Sequence, residues 1–180
     1  GSAVNHLEDP SFNNINQVPI VLTISGNTFM SGGLIQGFFD PPNSTYYQGI
    51  GGLYSHVEGY RTWAGGNHSH VEGKENIINY VGTGSHAEGF SNDISGVYCH
   101  AEGYNNTIGE DSAYCHAEGI SNIIPIGTGC HIEGTGNLIE VIQFPAHAEG
   151  GFNRVGSLGS YAHAEGFGTI IDTSGGHATV

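Results

Sequence analysis

The sequence contains few basic residues, and this scarcity excludes whole classes of partner. Only three of the 180 residues are Lys or Arg, against 17 Asp or Glu, so the formal net charge is −14. Nucleic acids and anionic membrane surfaces both repel a chain of this charge. We therefore expect no nucleic-acid partner.

Long hydrophobic runs are also missing. No stretch of 18 apolar residues occurs, and residues 1–4 lack the basic flank and apolar core that begin a signal peptide. We therefore expect no membrane insertion and no signal peptide. Gly1 and Ser2 have the sequence of a cloning remnant.

Proline is scarce, with six residues, whereas glycine is abundant, with 31. The glycines follow no Gly-x-y period, which excludes a collagen-like triple helix. The acidic residues are spread along the chain and not massed in blocks, and apolar residues make up 37%. These features are typical of an ordered chain.

A repeat of about fifteen residues organises most of the sequence. The motif His-[Ala/Val/Ile]-Glu-Gly occurs eight times, and a ninth copy begins at His177. Successive His residues are separated by 14, 16, 14, 16, 15, 16, 16 and 14 positions. A repeat this short cannot bury a core alone, so the period predicts stacked copies of one unit.

Three further sequence columns accompany the motif. The residue before His is always small, the sixth residue after His is Asn in six copies and Thr in two, and the eighth is apolar. Alternation around the motif predicts a strand with His and Glu on its outer face. The apolar column predicts a second short strand, and Gly, Asn, Asp and Ser between the strands predict turns. The fold class is therefore all-β, a parallel β-solenoid. The Gly after each Glu is expected at a turn or a close approach of the backbone.

The three cysteines, Cys99, Cys115 and Cys130, all occupy the small column in successive copies. Their number is odd, and Ser or Ala takes their place in the other copies. We therefore predict buried small residues here, in preference to a disulfide framework or a zinc site.

These residues resemble the head repeats of trimeric autotransporter adhesins, the YadA-like left-handed parallel β-roll. Ser-His-Ala-Glu-Gly is similar to the variant of this repeat in phage and virus fibre proteins, and the resemblance covers residues 55–180. It implies left-handed coils of about fifteen residues, an elongated homotrimer, and the motif strand near the trimer axis. The better-known adhesin heads carry apolar residues where this chain has His and Glu, which implies a polar, pH-sensitive interface.

The repeat divides the chain into two parts. Residues 1–54 match it poorly and are assigned to an N-terminal cap or connecting β segment, with a degenerate copy at 6–9, a strand at 18–24 and an apolar contact and turn at 38–44. Residues 55–180 form the β-roll of eight repeats and a broken ninth. The broken copy implies that the natural chain continues beyond Val180.

The His and Glu columns form the predicted trimer-interface ladder. We expect Glu to accept a hydrogen bond from an imidazole N–H, ideally across the interface. If Glu holds a protonated His, this contribution is lost as the pH rises; if the His residues are buried and neutral, acidification weakens the trimer. The ladder residues are His56, Glu58, His70, Glu72, His86, Glu88, His100, Glu102, His116, Glu118, His131, Glu133, His147, Glu149, His163 and Glu165.

Metal binding and catalysis are the alternative roles of these pairs. A polar ladder usually satisfies its own hydrogen bonds, so we predict no metal and no cofactor. Catalysis needs one differentiated site, whereas eight equivalent pairs are the opposite, so we predict that the chain is not an enzyme. A hexapeptide acyltransferase has coils of about eighteen residues, which do not fit this period. A tailspike-type glycosidase stays a third option, with its carboxylates among Glu110, Asp111, Glu140 and Asp172.

The resemblance implies a structural and adhesive function. We expect a fibre segment on the surface of a phage or virus particle, a rigid spacer and candidate receptor-binding head; the alternative is a bacterial adhesin head at the cell surface. The expected partners are two further copies of the chain and a host-surface glycan or protein. Aromatic residues between the columns are the candidate receptor contacts, namely Tyr80, Tyr98, Tyr114, Phe144 and Tyr161.

Overall fold

Parallel strands form two sheets in the computed structural model, which describes residues 34–38, 49–141, 144–172 and 175–179. None of these residues forms a helix, and a membrane-spanning helix is therefore absent from the described residues. The first sheet, here the His sheet, contains β1 (Leu34–Phe38), β3 (His56–Tyr60), β5 (His70–Val71), β7 (His86–Phe90), β9 (His100–Tyr104), β11 (His116–Ile120), β13 (His131–Thr135), β15 (His147–Gly151), β17 (His163–Phe167) and β19 (His177–Thr179). The second, here the Ile sheet, contains β2 (Gly49–Ile50), β4 (Trp63–Ala64), β6 (Ile77–Ile78), β8 (Asp93–Ile94), β10 (Thr107–Ala113), β12 (Ile123–Thr128), β14 (Leu138–Glu140), β16 (Arg154–Val155) and β18 (Ile170–Ile171).

The strands follow one another as the coils of a solenoid. The chain alternates between the two sheets and adds one strand to each sheet in every coil. Motif strands pair in register, so that His116 lies opposite His100 on one side and His131 on the other. The prediction of an all-β solenoid of parallel strands is confirmed, with about eight turns.

Apolar side chains fill the space between the sheets. The residue between His and Glu in each motif, such as Ala117 or Ile132, is fully buried, whereas His and Glu lie on the outer face. The Ile sheet contributes its own buried column, which includes Ile108 and Ile124. Burying one such side chain contributes roughly 1.5–3 kcal/mol. Since the neighbouring coils provide the cover, the coils are stable only as a stack.

In the eight complete copies the small residue before His is buried between the sheets, as the sequence predicts. Cys99, Cys115 and Cys130 are 1 to 3% exposed, and all three are free thiols. The backbone N–H of Cys115 donates to Sγ of Cys99 at 3.4 Å. The prediction of buried small residues is therefore confirmed for these three positions.

The Asn column forms a buried ladder of hydrogen bonds. Asn106 donates through Nδ2 to the carbonyl oxygen of Glu102 at 2.7 Å, and to that of Gly119 in the next coil at 3.0 Å. The sequence predicts these residues in turns, whereas in the structure their side chains lie inside the solenoid and connect the coils. The ladder consists of Asn76, Asn92, Asn106, Asn122, Asn137 and Asn153.

The Gly after each motif Glu lies where neighbouring coils approach closely. Gly119 has a φ of +106°, a backbone conformation that favours glycine. A Cβ atom at this position would overlap the carbonyl oxygen of Gly134 in the next coil. Both the conformation and the space therefore require glycine, as the expected close approach implies.

Both sheets begin before residue 55, the predicted domain boundary. Strand β1 pairs in register with β3 and places Leu34 opposite His56, and β2 pairs with β4. Strand pairing uses backbone groups, so a segment without the His and Glu of the motif still adds a coil. The two sheets therefore extend into the segment that the sequence analysis assigned to the cap.

Predictions for residues 1–44 and for the broken ninth copy concern the two ends of the chain. The degenerate copy at 6–9, the strand at 18–24, and residues 39–44 of the predicted turn segment lie outside the described residues. At the other end, β19 pairs with β17. The broken ninth copy therefore continues the His sheet.

Candidate functional site

The imidazole rings of the motif form a continuous stack on the outer face of the His sheet. Parallel strands in register place identical side chains above one another at the strand spacing of about 4.8 Å. From His56 to His163, successive ring centroids lie 4.7 to 5.0 Å apart, and the ring planes are 2 to 10° from parallel. The ring of His177 lies at 81° to that of His163 and ends the stack. Eight rings therefore form one column.

Each of these eight rings has a nitrogen without a hydrogen bond. Within the described part of the chain, Nε2 of every ring is hidden from solvent and has no hydrogen-bond partner. The carboxylate oxygens beside it lie 3.7 to 4.0 Å away in the measured pairs, for example from His86 to Glu72 and Glu88. This separation exceeds hydrogen-bond distance. The His-to-Glu hydrogen bond expected from the sequence is therefore not formed within one chain in these pairs.

Burial favours the neutral form of three imidazoles of the stack. It lowers the pKa of His70, His100 and His147, and the neighbouring rings of the stack lower these pKa values further. Nearby Glu carboxylates act in the opposite direction, with a smaller effect. At these three positions burial therefore favours the neutral alternative, in which stacked rings do not repel one another as charged rings would.

An open groove of about 460 Å³ follows the Glu column. Glu72, Glu88, Glu102 and Glu118 line it together with the Gly that follows each of them. Three groups of one His and two Glu occur here, with all ligand atoms of a group within 4.8 Å of one another, namely Glu72–His86–Glu88, Glu88–His100–Glu102 and Glu102–His116–Glu118. A neutral imidazole nitrogen beside two carboxylates is a donor set that suits transition-metal ions.

Four of the five candidate receptor contacts lie at the turns that lead into the His sheet. Tyr98 and Tyr114 stack with ring centroids 5.4 Å apart and are 55% and 63% exposed. Phe144 and Tyr161 form a similar stacked pair at 5.0 Å. Tyr80 is also exposed, and its ring lies edge-on to that of Trp63, with the ring centroids 5.9 Å apart. The structure therefore forms two separate stacked pairs from four of these residues and leaves the fifth outside both.

Carboxylates on the Ile sheet form ion pairs between coils. Arg154 contacts Glu140 and Asp172, each at 3.1 Å, and so joins three neighbouring coils. These two acidic residues were among the carboxylates considered for a glycosidase. Their observed contacts are those of a surface ion-pair network, which contributes modestly to stability.

The fold and the ladder together define a parallel β-solenoid with a continuous His and Glu face. A scan against protein-family models, a search of curated proteins and a search of solved structures gave no match to this chain. The YadA-like resemblance therefore rests on the motif residues and stays a prediction.

Proposed function

We propose that this chain is a segment of a trimeric fibre on a phage or virus particle, where it acts as a rigid spacer. In this proposal three chains associate side by side through their His sheets. Each chain is a left-handed β-roll with coils of about fifteen residues. No catalytic role is proposed for the ladder.

The unpartnered Nε2 atoms of the ladder are the observation that supports this proposal. Eight equivalent polar atoms are hidden from solvent and form no hydrogen bond within the described part of the chain. Leaving a buried polar group unsatisfied costs about 1–3 kcal/mol. A second copy packed on the same face supplies Glu oxygens as acceptors, because its His sheet carries the same residues. One interchain contact is then repeated along the whole length of the chain.

The contacts between coils support the role of a rigid spacer. Backbone hydrogen bonds run from coil to coil in both sheets, for example from the N–H of His116 to the carbonyl oxygen of Cys130 at 2.9 Å. The Asn ladder and the buried Ile column follow the same direction. Bending the solenoid strains all of these contacts together. Eight coils at the strand spacing make a rod of about 40 Å.

Native mass spectrometry at pH 7.5 tests the assembly. We expect a complex of three chains, each of 18.8 kDa. A stable monomer or dimer would contradict the proposal.

Cysteine cross-linking tests which face forms the interface. His147→Cys introduces a thiol on the ladder, and we expect interchain disulfides under mild oxidation. Thr107→Cys is the matched control, because Thr107 is exposed on the Ile sheet. The three natural cysteines are buried and contribute little background. Cross-linking of the control in place of the ladder variant would reject the His sheet as the interface.

We also propose that the stacked tyrosines contact a host-surface glycan. Tyr98 and Tyr114 have φ values of +54° and +55°, whereas Gly84 and Gly129 take the corresponding position in other coils. A bulky residue in this conformation is strained, so an exposed aromatic side chain is maintained here at some cost to stability. Flat aromatic faces suit the apolar faces of sugars.

A glycan array tests this contact. Tyr98→Gly and Tyr114→Gly remove the rings and keep a residue type that the same turn accepts elsewhere. We expect both variants to lose binding, whereas Phe167→Ala, which removes a ring that is 70% exposed outside these stacks, retains it. Absence of binding by the unmodified chain would leave the spacer role and reject the glycan contact.

A further inference from the structure

We propose that the His sheet binds divalent transition-metal ions at two sites. They are the first triad, Glu72, His86 and Glu88, and the second triad, Glu102, His116 and Glu118. One chain supplies all three ligands of each triad. The inference therefore goes beyond the proposed trimer. When an ion is bound, Nε2 of His86 and of His116 contacts the ion in place of a partner chain, whereas the other six rings of the ladder keep the proposed interchain contact.

The ligand atoms of both triads are close enough to share one ion. In the first triad, Nε2 of His86 lies 3.7 Å from Oε1 of Glu72 and 3.9 Å from Oε2 of Glu88. In the second, Nε2 of His116 lies 3.8 Å from Oε1 of Glu102. Zinc–ligand distances of about 2.0–2.2 Å place two ligands of one ion at most about 4.4 Å apart. Since all ligand atoms of a triad lie within 4.8 Å, small side-chain rotations complete the site.

The donor set selects the class of ion. One imidazole nitrogen and two carboxylate oxygens suit Zn²⁺ and related ions, whereas Mg²⁺ and Ca²⁺ prefer oxygen ligands alone. With the proton on Nδ1, the Nε2 atoms of His86 and His116 present a lone pair that no hydrogen bond uses within the described residues. Two carboxylates balance the charge of the ion, and the open groove beside the Glu column gives water access to the remaining ligand position.

The sequence predicts no metal, because a polar ladder usually satisfies its own hydrogen bonds. The measured His-to-Glu separations exceed hydrogen-bond distance while staying within the range that an ion bridges. The same residue types therefore support the metal alternative once their geometry is known.

A third triad lies between the other two and limits the number of ions. It consists of Glu88, His100 and Glu102, and so shares one Glu with each neighbour. The ring of His100 is 4.8 Å from the rings on both sides, so an ion there would lie close to two other dications. Like charges at this spacing repel, and no separate carboxylates are left for the middle ion. We therefore expect two ions per chain.

Zn²⁺ binding to the intact chain tests the inference. After treatment with EDTA and dialysis, Zn²⁺ is added, and bound ions are counted by native mass spectrometry and titration calorimetry. We expect two Zn²⁺ per chain, and one after either His86→Gln or His116→Gln. His100→Gln removes the middle imidazole, and we expect it to retain both ions.

His147→Gln and His163→Gln are the matched controls, because each interrupts the same stack outside the triads. We expect both to retain two ions, and melting curves establish that every variant is folded. Failure of the unmodified chain to bind Zn²⁺ would overturn the proposal. A loss of ions in these controls equal to the loss in His86→Gln and His116→Gln would also overturn it. Mass spectrometry measures subunit number and bound metal separately. A metal-free trimer would reject this inference alone, and a zinc-loaded monomer would reject the proposed trimer alone.

Discussion

The backbone N–H of Asn122 donates to Oδ1 of Asn106 at 2.9 Å, and both side chains are completely buried. The side-chain amide of Asn122 donates to the carbonyl oxygen of Glu118 in its own coil and to that of Gly134 in the next coil. One amide therefore connects a coil to the coils on both sides. This contact is repeated along the Asn ladder.

Replacement of Asn122 tests the stabilising role of the ladder. Asn122→Ala leaves the carbonyl oxygens of Glu118 and Gly134 and the N–H of Asn137 without their side-chain partner. We expect the free energy of unfolding to fall by about 3 kcal/mol, measured by urea denaturation.

Asn122→Thr is the control for this replacement. Thr169 occupies the same column in the last complete copy, and its hydroxyl donates to the carbonyl oxygen of Glu165 at 3.1 Å. A threonine at position 122 retains one hydrogen bond of this kind, so we expect a smaller loss. Equal stability of the Ala variant and the unmodified chain would contradict the assigned role.

Substitution of two adjacent isoleucines tests the effect of burial on stability, because the residue type is the same at both positions. Ile124 is fully buried between the sheets, whereas Ile123 is 43% exposed. We expect Ile124→Ala to reduce the free energy of unfolding by about 2–5 kcal/mol, because it leaves a cavity between coils. Ile123→Ala is expected to cost less than about 1 kcal/mol. Similar losses in the two variants would show that the interior is not between these sheets.

Substitution of two glycines that have positive φ distinguishes the cost of close approach between coils from the cost of backbone strain. Gly119→Ala places a methyl group against the carbonyl oxygen of Gly134, whereas at Gly168 no atom lies within 4 Å of the added carbon. We expect Gly168→Ala to cost about 1–2 kcal/mol from backbone strain alone. Gly119→Ala is expected to cost more than about 3 kcal/mol, because the coils must also separate. Melting temperatures compare the two, and a larger effect at Gly168 would contradict the close approach.

Acidification is expected to destabilise the folded chain through the His stack. Burial lowers the pKa of His147, the rings of His131 and His163 lower it further, and Glu149 and Glu133 partly oppose the shift. The unfolded chain binds the proton with an ordinary pKa of about 6.5. The unfolded state therefore gains protons first as the pH falls, so this contribution is complete above about pH 6.5 and is lost below it.

Melting temperatures of the unmodified chain and of His147→Gln between pH 5 and 9 measure this contribution. We expect the unmodified chain to lose more stability than the variant between pH 7 and 5. Effects of the other titrating groups are common to both proteins, so the difference isolates His147. A smaller loss of stability in the unmodified chain than in the variant between pH 7 and 5 would reject the neutral His stack.

The period and the alternation of apolar residues were sufficient to predict the solenoid, because burial follows directly from side-chain chemistry. The role of Asn106 was not predictable in the same way. Asn is common in turns, and only the pairing of coils shows that its amide connects them. The His-to-Glu separations of 3.7 to 4.0 Å within one chain also depend on side-chain conformations that the sequence does not specify.

The sequence motif also does not show where the two sheets begin. Leu34 pairs opposite His56 through backbone groups, although its segment lacks the motif. A search for the motif detects side chains and misses coils that share only the backbone conformation. The three-ligand groups also depend on side-chain distances between coils, which the spacing of His and Glu along the chain does not specify.

Because the motif strands of the His sheet pair in the same register, each of them has nearly equivalent edges on its two sides. Strand β11 meets β9 on one side and β13 on the other through equivalent positions. If whole repeats were deleted or duplicated by unequal recombination within the gene, the remaining edges would still match. The length of the His sheet can therefore evolve in steps of about 4.8 Å.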